Sequence, residues 1–419
     1  MMRIWPLAVV LVAGMGSHPG PAPAEDWPQW KGPRRDGLSA ETGLIKEWPE
    51  GGPQRVWLFE DCGTGYAGPA IVDDRMYILG GRDGQCLLLA LDVNTGDELW
   101  AVALGEEYFN DWGDGPRSTP TVENGLIYAM SARGDLVCVR AADGSEVWRT
   151  NLQNDLAGTE PQWGYSESVL IDGDRLLCTP GGSQGAIAAL DKATGKVLWR
   201  ATELDDVAHY SSVQRANFHG EPQYVQLLVS RLVGLAPEDG RVLWQVDWPG
   251  RVAVIPTPII HEDKVFATSG YGVGCMLVDI GDNNEATEVY DEPAKKLMKN
   301  HHGGVLLVGD YLYGHSDGVG WVCMEVASGK QMWREREAPG KGAISYADGM
   351  FYCLSEDEGD VVLIEASPDG WKEHGRFTLD PQTTIRKDRG KIWMHPVIAN
   401  GKLYLRDQNL LYCYDIAAK

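Results

Sequence analysis

Eight short stretches hold most of the side chains in this chain that could do chemistry. They read GTGYAGP, GPRSTP, QWGYSES, AHYSS, RVAVIPTP, NHHGG, GKGAIS and WMHP, and they supply Tyr66, Arg117, Trp163, Glu167, His209, Tyr210, Arg251, Asn300, His301, His302, Lys341, Trp393 and His395. Cations, imidazoles and indoles in such company are the fittings of a ligand pocket, in which a few polar groups fix a molecule against an aromatic wall. The pair His301-His302, joined by His209 or His395, also raises a metal site. Neighbours in an extended segment point to opposite sides, so one of the pair at most is expected to face a common pocket. No carboxylate pattern accompanies them, and a hydrogen-bonding role is the preferred reading.

Three other motif matches fail on context. Gly181-Gly182-Ser183-Gln184-Gly185 fits the hydrolase pattern G-x-S-x-G, but AIAALD follows where a nucleophile elbow needs a helix. Gly270-Tyr271-Gly272-Val273-Gly274 is a loose dinucleotide loop that also precedes a strand. SEDEGD, Ser355 to Asp360, lacks the spaced ligand order of a calcium loop. Each is read as a solvated hairpin.

A repeat must position the eight stretches. Trp100, Trp148, Trp199, Trp244 and Trp333 each stand four residues after a glycine, and Trp57, Tyr290 and Phe377 fill the remaining places. The spacings from Trp57 onward are 43, 48, 51, 45, 46, 43 and 44 residues, the period of one supersecondary unit. Polar hairpin turns recur in phase with them, from Asp73-Asp74 to Asn400-Gly401. One unit, STPTVENGLIYAMSARGDLVCVRAADGSEVW, resolves into four strands at Thr119 to Val122, Leu126 to Ser131, Leu136 to Arg140 and Glu146 to Arg149. A four-stranded meander cannot bury both faces alone, so such units stack around an axis.

Eight turns predict an all-β, eight-bladed β-propeller of four-stranded antiparallel blades. The last unit stops before its fourth strand, and RVWLFED, Arg55 to Asp61, is free to complete it and remove the open edge. The repeated tryptophans are then docking residues between blades, and the eight stretches lead into the innermost strands, around one axial funnel.

A net charge of −23 argues against nucleic acid or an anionic membrane surface as partner, and no cluster of Lys and Arg is read as a phosphate patch. Met1 to Ala24 has the form of a secretory signal, with Arg3, a short apolar run and Ala22-Pro23-Ala24, so cleavage near Ala24 and a soluble periplasmic or secreted product are expected. No apolar run is long enough to span a bilayer, and no cysteine precedes Cys62 to carry a lipid. Residues 25–52 form an extension and 53–419 the propeller. Cys138, Cys178, Cys323, Cys353 and Cys413 fall at matching places in separate repeats, too far apart to bond, and read as small buried residues, while Cys62, Cys86 and Cys275 are left open.

Ala90-x-Asp92-x-x-Thr95-Gly96-x-x-x-Trp100 resembles the tryptophan-docking repeat of the pyrroloquinoline quinone (PQQ) dehydrogenase-like propellers. That superfamily holds quinoprotein alcohol dehydrogenases and the non-catalytic BamB-like proteins of bacterial outer-membrane assembly. The resemblance covers about residues 53 to 419, and DWPQWKGPRRDGLSAETGL is similar to the start of exported bacterial PQQ-like repeat proteins. A quinoprotein would imply a cation held by carboxylate and amide ligands, an Asp base, basic groups on the quinone carboxylates and a stacked indole. Glu167 and Asn300, then Arg117, Arg251 and Lys341, then Trp163 or Trp393 are the residues available for the first, third and fourth parts. No Asp in the eight stretches offers a base, no two cysteines adjoin, and no Cys-x-x-Cys-His haem site is present. The expectation is therefore a binding or scaffold protein without a cofactor, acting as a monomer on a protein partner or small ligand at the channel mouth. The alternative is an alcohol or sugar dehydrogenase using PQQ with calcium.

Overall fold

The second unit shows how local chemistry makes a blade. Its strands run Thr121–Glu123, Leu126–Met130, Asp135–Arg140 and Glu146–Asn151, pairing in order as an antiparallel meander. Asn124 at φ 51 and Gly125 at φ 75 take the left-handed conformation that a two-residue hairpin turn requires. Apolar side chains are buried through the two middle strands, and polar ones are exposed on the outermost.

A computed structural model describes residues 25–419, and eight sheets of this kind make up the chain. The signal segment expected over 1–24 lies outside the described residues. Closure follows the sequence reading. Gln54–Phe59 is the outermost strand of the blade formed by Val397–Ala399, Lys402–Asp407 and Leu410–Asp415, with Trp57 opposite Cys413. Among the described residues, α-helix is confined to one turn, Glu292–Lys295, capped by Asp291. None of the described helices is long and apolar enough to cross a membrane.

Trp57, Trp100, Trp148 and Trp199 lie on turn glycines of the following blade. A Cβ on Gly195 would come within 2.6 Å of the Trp148 ring, and one on Gly96 within 2.8 Å of Trp57. The indole N–H then donates to the carbonyl three residues before that glycine: Trp57 to Val93 at 3.0 Å, Trp148 to Lys192 at 2.9 Å, Trp199 to Pro237 at 2.9 Å and Trp333 to Ser367 at 2.9 Å. Tyr290 does the same with its hydroxyl, to Val326 at 2.6 Å. Trp100 breaks the pattern, because Arg75 and Tyr77 already donate to Ala141 O and leave its N–H without a partner. Trp244 faces an irregular turn and bonds Gln223 of its own blade instead. Phe377 packs on Gly52, which stands just ahead of the strand that closes the ring.

All eight cysteines are free and buried. This resolves Cys62, Cys86 and Cys275 as packing residues like the other five, and burial raises all three thiol pKa values.

Residues 25–52 do not trail outside the ring. They cross its axis and bond to the inner strand, or a segment adjoining it, of every blade. Trp27 exchanges two 2.8 Å backbone hydrogen bonds with Ile71, and Pro28 O accepts from Val122 N. Arg35 donates to Ser168 O and Val169 O, and its own carbonyl accepts from Gln214. Trp30 reaches Thr257, Lys31 reaches Val305 O, Leu38–Ser39 pairs in parallel with Tyr346 and Ala347, and Glu41 caps the amides of Asn400 and Gly401. The segment seals one end of the channel and becomes the floor of what remains.

Candidate functional site

Strands alternate in direction within each blade, so the connections into inner strands and the turns between second and third strands share one face. A cavity of about 250 Å³ opens on that face. Of the sequence-predicted residues, Tyr66, Arg117, Trp163, Tyr210, His301, His302, Trp393 and His395 line it. Seven blade connections, far apart in sequence, meet there.

Glu167 is not among them. Its carboxylate is fully enclosed and accepts from the amide of Thr179 at 2.6 Å and from its hydroxyl at 3.1 Å, and burial raises its pKa to about 7. His209 accepts from Val254 N at 3.1 Å through Nδ1 and is kept neutral by burial, with a pKa near 4. Arg251 is exposed. Asn300 spends its amide on Gly304 O and His315 O at 2.9 and 3.0 Å. Lys341 stands behind His301, 2.5 Å from Nδ1, and pairs with Asp317 at 3.0 Å.

Both histidines of the pair face the cavity, against the strand-based expectation. NHHGG is irregular backbone ahead of the strand Val305–Val308, so the alternation of an extended segment does not apply. Their rings lie 3.7 Å apart, and His302 stacks on Trp393 at 4.5 Å with 26° between planes. His395 donates through Nε2 to His302 O at 2.8 Å and sets its edge against Trp30. Burial lowers the pKa of all three imidazoles, which are neutral at pH 7.

Several wall residues had no repeat signal to reveal them. Trp30 and Lys31 come from the crossing segment, Trp112 from a long connection, and Tyr271 and Glu356 from two of the hairpins read as solvated. Glu356 is instead buried beneath Trp393, whose N–H donates to Oε2 at 3.2 Å, and its pKa rises to about 7 because the site desolvates it. A basic run was also passed over. Arg386, Lys387 and Lys391 pair with Asp407, Asp114 and Asp357 of neighbouring segments, while Arg389 lies over the Trp112 ring, 5.6 Å from its centre. Paired in this way, the run is no phosphate-reading patch.

PQQ with calcium needs a hard-cation cage and a free indole face, and these residues do not fit it. Glu167 is committed to Thr179, Asn300 has its Oδ1 buried without a partner, and neither lines the cavity. Among the described residues no three His, Cys, Asp or Glu side chains are grouped so as to hold a metal ion. Trp393 is covered by His302 and, at 5.0 Å, by Tyr66. Arg117 is turned onto Gly113 O and Gly115 O. The cavity can hold a flat molecule between aromatic walls, but its donors are those of a binding site.

Repeat, closure and docking glycines define a propeller of PQQ-like units. Within that class, the profile of the family described as outer membrane protein assembly factor BamB matches residues 84–321, and the chain belongs to that family. BamB of Burkholderia pseudomallei is 21% identical over 393 residues, covering 90% of this chain and 91% of that protein. BamB of Xanthomonas campestris is 28% identical over 156 residues, 35% of this chain and only 38% of that protein. The quinohemoprotein alcohol dehydrogenase ADH IIB of Pseudomonas putida is 29% identical over 113 residues, 26% of this chain and 16% of the enzyme. The crystal structure of BamB from Moraxella catarrhalis superimposes with a TM-score of 0.63 at 14% identity, over 87% of this chain and all of that one, which shows a shared fold.

Proposed function

We propose that this protein is an exported, non-catalytic binding propeller that works in the periplasm or outside the cell, as a monomer, by holding a protein partner on its cavity-bearing face. One observation carries the proposal. Apart from residues on outermost strands, the exposed large hydrophobic side chains among the described residues are Phe109, Trp112, Val207, Val252, Tyr271, Val289 and Ile385. Each lies in a connection between blades or, for Tyr271, in a turn of that same face. The opposite face is made of polar turns and the crossing segment. Apolar side chains exposed on one face are the mark of an interaction surface. The assembly-factor naming of the relative matched over nine-tenths of the chain supports the same reading.

A quinoprotein oxidoreductase is the competing class. Its support in sequence is a shared repeat over a small part of a larger enzyme, and the cavity's donors do not suit it. The two readings separate in a dye-linked assay of purified protein with PQQ, calcium, and primary alcohols or aldoses. The binding reading expects no dye reduction above a heat-denatured control. Sustained, alcohol-dependent reduction would overturn it.

A further inference from the structure

Two lysines line the cavity, and their surroundings differ. Lys391 on the wall is paired with Asp357. Lys31 on the floor is 7% exposed, and its nitrogen has one hydrogen bond, to Val305 O at 3.3 Å. Asp36 favours its charge without pairing with it, Arg35 opposes it, and the imidazole of His395 beside it is neutral. An ammonium carries three donors, so burying one with two unused is costly. Burial accordingly lowers the Lys31 pKa to about 8.

The amine is also held in place. Lys31 has a φ of 59°, a left-handed conformation that a lysine occupies only when its surroundings impose it. Gly32 follows at φ +78 beneath the Trp27 ring, which anchors the segment to the first blade. Trp30 is fixed by its N–H, which donates to Thr257 Oγ1 at 3.3 Å, and it shares the cavity wall with Ala253, Ile255 and Pro256. The fold therefore sets an amine that is easily deprotonated at the base of an apolar cup.

We propose that Lys31 captures small apolar aldehydes as a reversible imine, with the body of the aldehyde against Trp30, Ile255 and Pro256. The Nζ lone pair attacks the carbonyl carbon, and the C=O pair moves onto oxygen. Both N–H protons of the amine end on that oxygen, the C–O bond breaks, and water leaves as C=N forms. The reaction consumes no oxidant or reductant. A neutral imine has no donors to satisfy, so capture removes the poorly partnered charge that the fold has buried. The inference is independent of the partner proposed above, since the cavity is complete within one chain.

Only the unprotonated amine attacks a carbonyl. At about pH 7.5 an ordinary lysine, with a pKa of about 10.4, is roughly 0.1% free amine, whereas one near 8 is roughly 25% free amine. A margin of about two orders of magnitude separates Lys31 from a surface lysine, less whatever burial takes from access. Lys391 is the internal comparison, since it lines the same cavity but is held as an ion pair.

Cyclohexanecarbaldehyde with cyanoborohydride, which reduces an imine to a stable secondary amine, makes the test on the intact protein, read by mass spectrometric peptide mapping. At about pH 7.5, Lys31 is expected to gain the adduct at least about tenfold faster than Lys391 or the exposed Lys296. Cyclohexylmethanol, which has the same body and no carbonyl, should slow the reaction at Lys31 by occupying the cup. In Lys31→Met the fast adduct should disappear while the rate at Lys391 stays unchanged. A wild-type rate at Lys31 less than about tenfold that at Lys391, no protection by the alcohol, or a fast adduct kept in the variant would each overturn the proposal. Should Lys31→Met fail to fold, the wild-type map and its protection by the alcohol decide.

Discussion

Arg406 is buried to 1% exposure and donates to carbonyl oxygens of Ala67, Leu79, Cys62, Gly63, Thr64 and Gln408, across the seam where the last blade meets the first. Its planar fork reaches acceptors that a lysine would leave unpaired. Arg406→Met should lower unfolding stability by about 3–5 kcal/mol, as for other buried charges stripped of their partners, measured by urea denaturation. Glu167 gives a second prediction. Its folded pKa of about 7 lies above the unfolded value, so the native state binds the extra proton and stability falls as pH rises from about 4.5 to 7. Glu167→Gln should remove that loss, so the variant's urea midpoint gains on the wild type between pH 5 and 8. Neither residue could be placed from the sequence. Arg406 reads as one more strand residue, because carbonyls more than three hundred residues away decide its place. Glu167 reads as a polar group in a channel-lining stretch, because its enclosure and its bonds to Thr179 appear only in the fold.

The docking element was legible because it is local and repeated. A turn glycine and an aromatic four residues later recur at one period, and glycines beneath Trp57, Trp100, Trp148 and Trp199 are the direct consequence. Gly195→Ala therefore meets two obstacles, a φ of +71 and a Cβ 2.6 Å from Trp148. Trp148→Ala opens a void at the same joint, and a loss of about 3–5 kcal/mol is expected for an indole this buried. Both variants should lower the thermal midpoint, and combining them should cost less than their sum, because one contact is removed twice. The crossing segment was illegible for the opposite reason. WPQWKGPRRDG has no period, no alternation and no partner nearby in sequence, and its position depends on all eight blades at once. The His301-His302 pair failed likewise, since strand alternation was applied to a loop.

At the scale of the molecule, the ring has two unlike faces. One is closed by residues 25–52 and presents polar turns. The other presents the cavity and, in the connections of that face, the exposed side chains of Phe109, Val207, Val252 and Ile385. Composition and repeat predicted the ring and its closure. They could not show which of two channel ends is open, because that depends on a segment outside the repeat. The shared repeat with quinone enzymes also says nothing of the donors inside, which is why chain-length similarity and cavity chemistry point the same way only after the side chains are placed.

The central claim is that this protein works by docking a partner on the open face. A photo-crosslinking residue placed at Phe109, Val252 or Ile385, and for comparison at Asn94 or Ala193 in the polar turns of the closed face, tests it in the cells that make the protein. The account predicts one discrete crosslinked species of constant mass from the three open-face positions and none from the two controls. Crosslinks confined to the closed face, or absent from both, would contradict it.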